Sequence, residues 1–257
     1  MRQKLILITG ASSGIGEACA WKFAENGCRL ILNARSEDKL LGIKEKLQSE
    51  YGTEVLLMAC DVRDGEAVKK AIDSLPEQWR NIDVLVNNAG LALGTDKEHE
   101  LDLEEAFTMI DTNVKALLRM TRLVVPGMVK RNRGHVINIG SIAGDGAYPG
   151  GSVYCATKAA VKVLSDGLRI DLYDTPIRVT NVKPGLVETN FSNVRLHGDK
   201  AKAKKLYTGI KPLTGKDIAE VVYFAASAPE HVQIAEVRVQ ATHQASAQMV
   251  WREQNEK

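Results

Sequence analysis

Long apolar runs, clustered cysteines and a large excess of charge of either sign are all missing from this chain of 257 residues. The formal net charge of +2 argues against a nucleic-acid-binding protein, because such proteins carry a strongly basic face. Residues 5–8 form only a short apolar run near the N-terminus, too short for a signal peptide or a membrane span. We therefore expect neither a nucleic-acid nor a membrane partner.

The cysteines and histidines show no metal-ligand spacing. The cysteines are Cys19, Cys28, Cys60 and Cys155. Their scatter is typical of reduced thiols in a cytoplasmic protein. The histidines without ligand spacing are His135, His197, His231 and His243. We interpret these histidines as polar surface or loop residues and expect no metal.

What the chain does contain is a regular alternation of short apolar runs and longer amphipathic segments. The apolar runs predict strands at 5–9, 29–33, 55–60, 84–87, 135–140, 178–183 and 234–239. The amphipathic segments predict helices at 16–26, 37–51, 66–75, 103–130, 153–173 and 216–227. This alternation predicts an α/β fold, a Rossmann-like doubly wound parallel sheet of about seven strands with helices on both faces.

The whole chain, 1–257, is expected to form one domain, because no Gly/Ser linker, repeat or low-complexity tract divides it. Within the helix predicted at 103–130, apolar residues between 109 and 129 point nearly all round the helix axis. Such a helix is usually buried on several sides. A crowded core would explain it, but we favour a partner subunit and expect a homotetramer or a homodimer.

A glycine-rich segment follows the first predicted strand and opens a helix. Glycines permit a tight turn and a close approach of the backbone to phosphate, and the helix N-terminus offers free N–H groups to a pyrophosphate. The spacing is Gly-x-x-x-Gly-x-Gly rather than the commoner G-x-G-x-x-G. The segment predicts a dinucleotide site that includes Gly10, Ser12, Ser13, Gly14, Ile15 and Gly16.

The end of the second predicted strand indicates which dinucleotide is used. NAD-specific folds usually place an acidic residue there for the ribose 2′-hydroxyl, whereas this chain has Arg35 and no acidic residue before Glu37. A planar guanidinium suits a 2′-phosphate. Arg35 therefore favours NADP over NAD, although a solvent-facing arginine would look the same in the sequence.

Tyr154 and Lys158 are four residues apart on a predicted helix, which places them on one face. A neighbouring ammonium favours the phenolate and is expected to lower the pKa of the tyrosine, as acid–base catalysis near neutral pH requires. By itself such a pair is common on solvated helix surfaces. Ser141, thirteen residues before Tyr154, supplies a hydrogen-bond donor for a developing oxyanion.

Taken together, these residues resemble the short-chain dehydrogenase/reductase family over nearly the whole chain. The resemblance implies a catalytic tetrad of Asn113, Ser141, Tyr154 and Lys158, with Asn113 anchoring a water in a proton relay. Lys158 would also bond the nicotinamide ribose and, with Tyr154, contact the cofactor. The other cofactor contacts that the resemblance implies are Asp61 and Val62 at the adenine, Asn88 in the motif Asn-Asn-Ala-Gly, and Pro184, Gly185, Val187 and Thr189 at the nicotinamide.

A closer resemblance, to NADP-dependent 3-hydroxy acid dehydrogenases, is carried by four segments. They are NNAGLALG (87–94), IDTN (110–113), RGHVINIGS (133–141) and PGLVETNFSNV (184–194). The subgroup implies substrates such as serine, allo-threonine, 3-hydroxyisobutyrate or malonic semialdehyde. Asn190 departs from the pattern, since a glutamate or similar polar residue is expected there, but this change removes no catalytic group.

A substrate carboxylate needs a cation or a set of donors, and Arg195 is the candidate, because an arginine can bind a carboxylate with two hydrogen bonds. Together with Ser141 and Tyr154 it makes up the predicted substrate site. Gly94, Asp145 and Tyr148 are further candidates that the sequence does not rank.

Several alternatives stay open at this point. The enzyme could instead be a carbonyl reductase for neutral ketones, sugars or 3-oxoacyl thioesters, or the chain could be a non-catalytic NADP-binding sensor. A tail after Ala241 could cover a neighbouring subunit. A lysine run, interpreted as a solvated helix face, comprises Lys200, Lys202, Lys204 and Lys205.

Overall fold

The computed structural model describes residues 1–253, in which strands and helices alternate along the chain. The strands are β1 (Leu5–Thr9), β2 (Arg29–Ala34), β3 (Val55–Ala59), β4 (Val84–Asn87), β5 (His135–Ile139), β6 (Arg178–Pro184), β7 (Val187–Glu188), β8 (Leu213–Thr214) and β9 (Glu236–Val239). The helices are α1 (Gly14–Glu25), α2 (Glu37–Tyr51), α3 (Gly65–Asp73), α4 (Leu103–Ile110), α5 (Ala116–Lys130), α6 (Ser152–Asp171), α7 (Phe191–Arg195), α8 (Lys200–Lys205) and α9 (Gly215–Ser227).

Seven strands form one parallel sheet in the order β3-β2-β1-β4-β5-β6-β9. The central strand β1 pairs with both β2 and β4, so that Leu7 lies opposite Ile31 on one side and Leu85 on the other. The chain winds outward from β1 to β3 and then, in the other direction, from β4 to β9. Ligands of open α/β sheets bind at the carboxyl ends of the strands beside such a switch in direction. The predicted doubly wound, Rossmann-like α/β fold is confirmed.

Both faces of the sheet are covered, which explains why its strands read as continuous apolar runs rather than as alternating ones. Successive side chains of a strand point to opposite faces. Ile6 of β1 packs in one buried cluster with Phe23 of α1. Leu7 packs in the other with Met120 of α5. The two clusters hold the helices on either side and leave the strand ends free to form a site.

The helix predicted over 103–130 is interrupted in the structure. A π-helical turn, Asp111–Lys115, separates α4 from α5. A π turn contains an extra residue, so it changes which side of the helix the following side chains occupy. Hydrophobic periodicity does not reveal such a change. The buried side of α5 includes Met120 and Val124, whereas Leu118 is 45% exposed.

Between β6 and α9 the structure contains four short elements, of which the sequence analysis anticipated only α8, the helix that carries the lysine run. Strands β7 and β8 pair with each other as a separate two-stranded sheet. Helices α7 and α8 lie between them. Elements of two to six residues are too short to produce a detectable apolar period. This segment nevertheless reaches the predicted site, because Arg195 is the last residue of α7.

The interpretation of His135 as a surface or loop residue is wrong. The side chain is buried in β5, where its Nε2 lies 2.8 Å from Oγ1 of Thr180 on β6. Burial lowers the pKa of His135 well below its ordinary value, so the ring is neutral. In contrast, the interpretation of the lysine run is confirmed, because the lysines of α8 are exposed.

Two further observations concern the described residues only. None of the helices within residues 1–253 is long and apolar enough to cross a membrane. The four cysteines are free thiols, as their spacing predicted, and three of them are buried.

Candidate active site

Two glycines are required where β1 leads into α1, Gly10 in the loop and Gly16 in the first turn of the helix. Gly10 has a φ of +65°, in the left-handed region. A Cβ at Gly16 would lie 2.3 Å from the carbonyl oxygen of Gly10, so a larger residue would push the helix away from the loop. Asn88, after β4, donates from Nδ2 to the carbonyl oxygens of Thr9 (2.9 Å) and Gly10 (3.2 Å). Gly16 therefore lets α1 pack closely against the loop, and Asn88 holds the loop in place through its backbone carbonyl groups.

The same loop is suited to a pyrophosphate. Ser13 precedes α1 but makes no capping hydrogen bond with its side chain. The first N–H groups of α1 therefore remain available to a ligand, and the helix dipole favours a negative charge at that position. The loop provides the close backbone approach that the phosphates of a dinucleotide need.

A cavity of about 670 Å³ lies along the carboxyl ends of the strands. This volume is within the range of small-molecule and cofactor sites. Of the predicted site residues, only Gly16 and Asn113 lie outside its walls. The predicted residues that line it are Gly10, Ser12, Ser13, Gly14, Ile15, Arg35, Asp61, Val62, Asn88, Ser141, Tyr154, Lys158, Pro184, Gly185, Val187, Thr189 and Arg195.

At one end of the cavity, positive side chains surround the position expected for a ribose 2′-phosphate. Arg35 is exposed at the end of β2, and Ser36 and Lys39 line the wall next to it. Asp61 is paired with Arg63 at 2.7 Å, and this pair, with a smaller contribution from Arg35, lowers the pKa of the Asp61 carboxyl. The sequence analysis named Arg35 but missed Lys39, in the first turn of α2, and Arg63. Arg63 becomes a neighbour of Arg35 only when β2 and β3 pair.

Lys158 of α6 is buried in the middle of the cavity wall. Its Nζ donates to the carbonyl oxygen of Ile139, the last residue of β5, at 2.8 Å. Burial disfavours the charged ammonium and lowers the pKa of Lys158 to about 8. The Nζ lies 6.0 Å from the centroid of the Tyr154 ring, so the two side chains share one face of α6 as predicted.

The expected lowering of the Tyr154 pKa is not found. Burial raises the pKa of this phenol above its ordinary value, while the Ser141 hydroxyl and the Arg195 charge oppose the rise. The free-energy cost of removing the phenolate from water is larger than the stabilisation that these two neighbours provide. The prediction from helical spacing considered the lysine alone and omitted desolvation, which a sequence does not display.

Ser141 lies two residues after the end of β5 and caps the 3₁₀ turn Ile142–Asp145. Its Oγ accepts a hydrogen bond from the N–H of Ala143 at 3.1 Å and lies 3.5 Å from the carbonyl oxygen of Pro184. The hydroxyl is thereby held at the cavity wall beside Tyr154. A hydroxyl in this position can donate to an oxygen atom that gains negative charge.

Asn113 lies in the π turn, behind the cavity wall. Its amide pairs with both backbone groups of Leu91, accepting from the N–H at 2.9 Å and donating to the carbonyl oxygen at 2.8 Å. The same Nδ2 also donates to Oγ1 of Thr157 on α6 at 3.0 Å. The side chain therefore connects the π turn, the segment after β4 and the helix that carries Lys158. Its predicted role in a water relay stays a prediction.

Arg195 reaches back from α7 to the loops around the cavity. Its Nε donates to the carbonyl oxygen of Gly94 at 3.2 Å and its Nη2 to that of Gly150 at 3.1 Å. Its Nη1 donates to the hydroxyl of Tyr148 at 2.9 Å. These contacts use three of the five N–H groups of the guanidinium. The side chain lines the cavity, and its role as a carboxylate ligand stays a prediction.

Comparison with known proteins agrees with this geometry. Residues 4–199 match the family described as short chain dehydrogenase. The chain belongs to the short-chain dehydrogenase family.

Similar members of the family can be named. The NADP-dependent 3-hydroxy acid dehydrogenase of Schizosaccharomyces pombe is 49% identical over 252 residues, which cover 98% of this chain and 97% of that protein. The protein of the same description from Salmonella typhi is 50% identical over 95% of this chain and 97% of its own length. A structure described as the closed form of serine dehydrogenase complexed with NADP+ matches with a TM-score of 0.90 at 44% identity, covering 97% of this chain and all of that one.

Several residues of this short-chain dehydrogenase lie at the cavity although the sequence analysis could not rank or find them. Tyr148 lines the wall, whereas Asp145 forms an ion pair with the buried Lys183 of β6 instead. Phe191 places its ring 5.6 Å from that of Tyr154. Gln244, in the tail after β9, lines the cavity as well. Only the polar character of Gln244 in an otherwise unassigned tail could have drawn attention to it.

Proposed function

We propose that the protein is an NADP-dependent oxidoreductase that transfers a hydride between the nicotinamide and the C3 carbon of a short 3-hydroxy acid. Substrates of this class include serine, allo-threonine and 3-hydroxyisobutyrate, with malonic semialdehyde in the reverse direction. The observation that carries the proposal is one cavity that has Arg35 at one end and the group of Ser141, Tyr154 and Lys158 further along. The similarity to proteins described as 3-hydroxy acid dehydrogenases supports the substrate class.

The residues of the cavity fit NADP. Gly10 gives the loop its left-handed turn and Gly16 lets α1 pack closely against that loop, as in folds that bind a pyrophosphate at the helix N-terminus. Arg35 carries a charge for the 2′-phosphate, and the segment 184–189 lines the same cavity as Tyr154, where the nicotinamide is expected. When bound, NADP supplies the hydride chemistry. The protein contributes orientation and proton transfer.

Tyr154 is proposed as the acid–base group. As a phenol it donates a proton to the carbonyl oxygen in reduction, and as a phenolate it removes the alcohol proton in oxidation. Because burial raises the pKa of Tyr154, the protein by itself favours the phenol, which is the proton donor. The charge of Arg195 and the hydroxyl of Ser141 stabilise the phenolate. Ser141 is also proposed to hold the substrate oxygen.

Arg195 is proposed as a ligand for the substrate carboxylate. Two of its five N–H groups have no partner among the described residues and can bind an oxygen anion. The other three connect α7 to the loops that carry Gly94 and Gly150. Substrate binding and the position of α7 are thereby linked through one side chain.

We also propose a homotetramer or homodimer in the cytoplasm. Support for assembly comes from large apolar side chains that are exposed on α4 and α6. They are Leu103, Phe107, Val163 and Ile170. Support for the compartment comes from the free thiols. Light scattering at micromolar concentration tests the assembly, and a monomeric mass would reject it.

The substrate class is tested with serine, allo-threonine and 3-hydroxyisobutyrate, each offered with NADP and with NAD and followed at the nicotinamide absorbance band. We expect turnover of at least one acid with NADP and little with NAD. Turnover of neutral alcohols or ketones alone would make the enzyme a carbonyl reductase instead. No turnover of any compound, with NADPH still bound, would indicate a binding protein.

A further inference from the structure

The tail after β9 folds back over residues 184–189, which are called the nicotinamide segment because they are proposed to contact that ring, rather than extending into solvent. The carbonyl oxygen of Gln244 accepts from Nε2 of Gln240 at 3.0 Å, and the N–H of Trp251 donates to the carbonyl oxygen of His243 at 2.9 Å. The resulting turn is tied to the rest of the protein by the side chain of Gln244, which is only 7% exposed. Its carboxamide is therefore held in one position by the fold.

Gln244 is held by one half of its carboxamide. Its Oε1 accepts from the N–H of Leu186 at 2.7 Å. This bond fixes the orientation of the amide, because the reversed amide would set two donors against each other. Gly185 allows the contact, since a Cβ at that position would lie 2.3 Å from the same Oε1.

The other half of the carboxamide is not used by the protein. Nε2 of Gln244 donates to no atom of residues 1–253 within hydrogen-bond distance, and Gln244 lines the cavity that contains Ser141 and Tyr154. A largely buried side chain whose acceptor is satisfied and whose two donors are not is suited to a ligand that brings an acceptor.

We propose that Nε2 of Gln244 donates to the carboxylate of the substrate and is a specificity-determining residue for 3-hydroxy acids. This inference rests on the proposed function. A carboxylate has about four lone-pair sites for donors, and Arg195 has only two N–H groups without a partner among the described residues. Two lysines line the cavity, and of these Lys158 is already bonded to Ile139, whereas Lys39 lies next to Arg35 at the cofactor end. Gln244 supplies the missing donors without adding a buried charge.

A position beside the substrate is consistent with the path of the tail. Three residues after Gln244, Ala247 also lines the cavity. Gln248 donates from Nε2 to the carbonyl oxygen of Ala147 at 3.4 Å, on the loop between Ser141 and Tyr148. The tail thus runs from the nicotinamide segment to the loop that presents the catalytic serine, along the space where the substrate must lie.

The test compares 3-hydroxyisobutyrate with its methyl ester in Gln244→Glu and Gln244→Met enzymes. Glutamate keeps an oxygen for Leu186 but replaces the donors by a negative charge, and methionine removes both hydrogen-bonding functions at similar length. We expect the ratio of kcat/KM for the acid to that for the ester to fall about tenfold or more in both variants, the size expected when a hydrogen bond to a charged group is lost. The KM for NADP should change less than about twofold in the glutamate variant.

Other outcomes overturn the inference. An unchanged ratio in either folded variant, verified by its thermal midpoint, would show that Gln244 does not read the carboxylate. An equal loss with acid and ester would make it a residue that only positions Leu186, and a raised KM for NADP would assign its donors to the cofactor. If the wild-type enzyme oxidises the ester but no acid, the proposed function itself is overturned. If the wild-type enzyme oxidises the acid and the Gln244→Glu enzyme does so equally well, only this inference is overturned.

Discussion

The cavity has two walls of different construction. Ser141, Tyr154 and Lys158 are carried by the end of a central strand and by the twenty-residue helix α6. Arg195 and Gln244 are carried by a five-residue helix and by a tail without a long element. The first wall is anchored in the sheet, as in the bond from Lys158 to Ile139 of β5. The second is held mainly by side chains that bond loop carbonyls and a loop N–H.

This difference indicates that the two walls have separate functions, one in catalysis and the other in the choice of substrate. A wall built on the sheet holds reacting groups in place, which proton transfer requires. A wall of short elements can differ between related enzymes without disturbing the core, so it is the place where substrate choice is expected to be set. Changes in the first wall should therefore alter kcat, and changes in the second should alter KM and the ranking of substrates.

The largest effect is expected from Tyr154→Phe in the first wall. Loss of the acid–base group should lower kcat about 10² to 10⁴-fold while NADPH binding is retained. Turnover at saturating substrate and a fluorescence titration with NADPH measure the two quantities. Tyr173→Phe makes the same chemical change at a tyrosine that is 85% exposed and serves as the control. Retained turnover would remove Tyr154 from the mechanism.

Next in size is the effect of Lys158→Met on stability. Burial lowers the pKa of Lys158 from its ordinary 10.5 to about 8, so the folded protein binds this proton less tightly than the unfolded chain. Below pH 8 the buried charge destabilises the fold, by up to about 3 kcal/mol. Between pH 8 and pH 10.5 this penalty disappears as the folded protein loses the proton.

The methionine variant should therefore be inactive but more stable than wild type at pH 7, with a difference that shrinks as the pH rises towards 10. Urea unfolding at pH 7 and pH 9.5 measures it. Lys162→Met, one turn further along α6 at a half-exposed position, is the matched loss of a lysine. A difference in the free energy of unfolding that does not depend on pH would contradict the assignment.

A smaller effect is expected from Arg35→Ala, at the cofactor end of the cavity and outside both walls. Loss of the guanidinium should raise the KM for NADP about tenfold, because a charge-assisted bond to the 2′-phosphate disappears. The KM for NAD should stay nearly constant. Lys46→Ala, an exposed change on α2 outside the cavity, is the control. An equal rise for both cofactors would mean that Arg35 does not distinguish them.

The smallest effect is expected from Arg195→Lys in the second wall. Lysine keeps the charge but cannot reproduce the planar fork that reaches Gly94, Tyr148 and Gly150. The KM for a 3-hydroxy acid should rise about fivefold with kcat little changed, as for the loss of about 1 kcal/mol. If the methyl ester is affected to the same extent, Arg195 holds the loops and does not bind the carboxylate.

The first wall could be predicted from the sequence more fully than the second. The glycine loop, Ser141 and the pair of Tyr154 and Lys158 each belong to a local pattern of spacing, and the sheet brings these patterns to one edge. The pKa of Tyr154 could not be predicted in the same way. Its direction depends on how much water the fold removes from the phenol, which is a property of the assembled site.

The second wall depends on contacts between distant parts of the chain. Gln244 bonds Leu186 across 58 positions, and Arg195 bonds Gly94 across 101. Asp145 was a candidate for the pocket, but the fold directs it to Lys183 on β6. No local pattern contains such pairs.

The sequence alone determines the local order of this protein, because periodicity and backbone sterics act between near neighbours. This local order comprises the alternation of strands and helices, the positions that require glycine and the residues able to move a proton. The tertiary structure decided the rest. It determines which charged groups are buried, which arginine and glutamine side chains are hydrogen-bonded and which donors remain free for a ligand. Burial and the packing of distant segments control these properties.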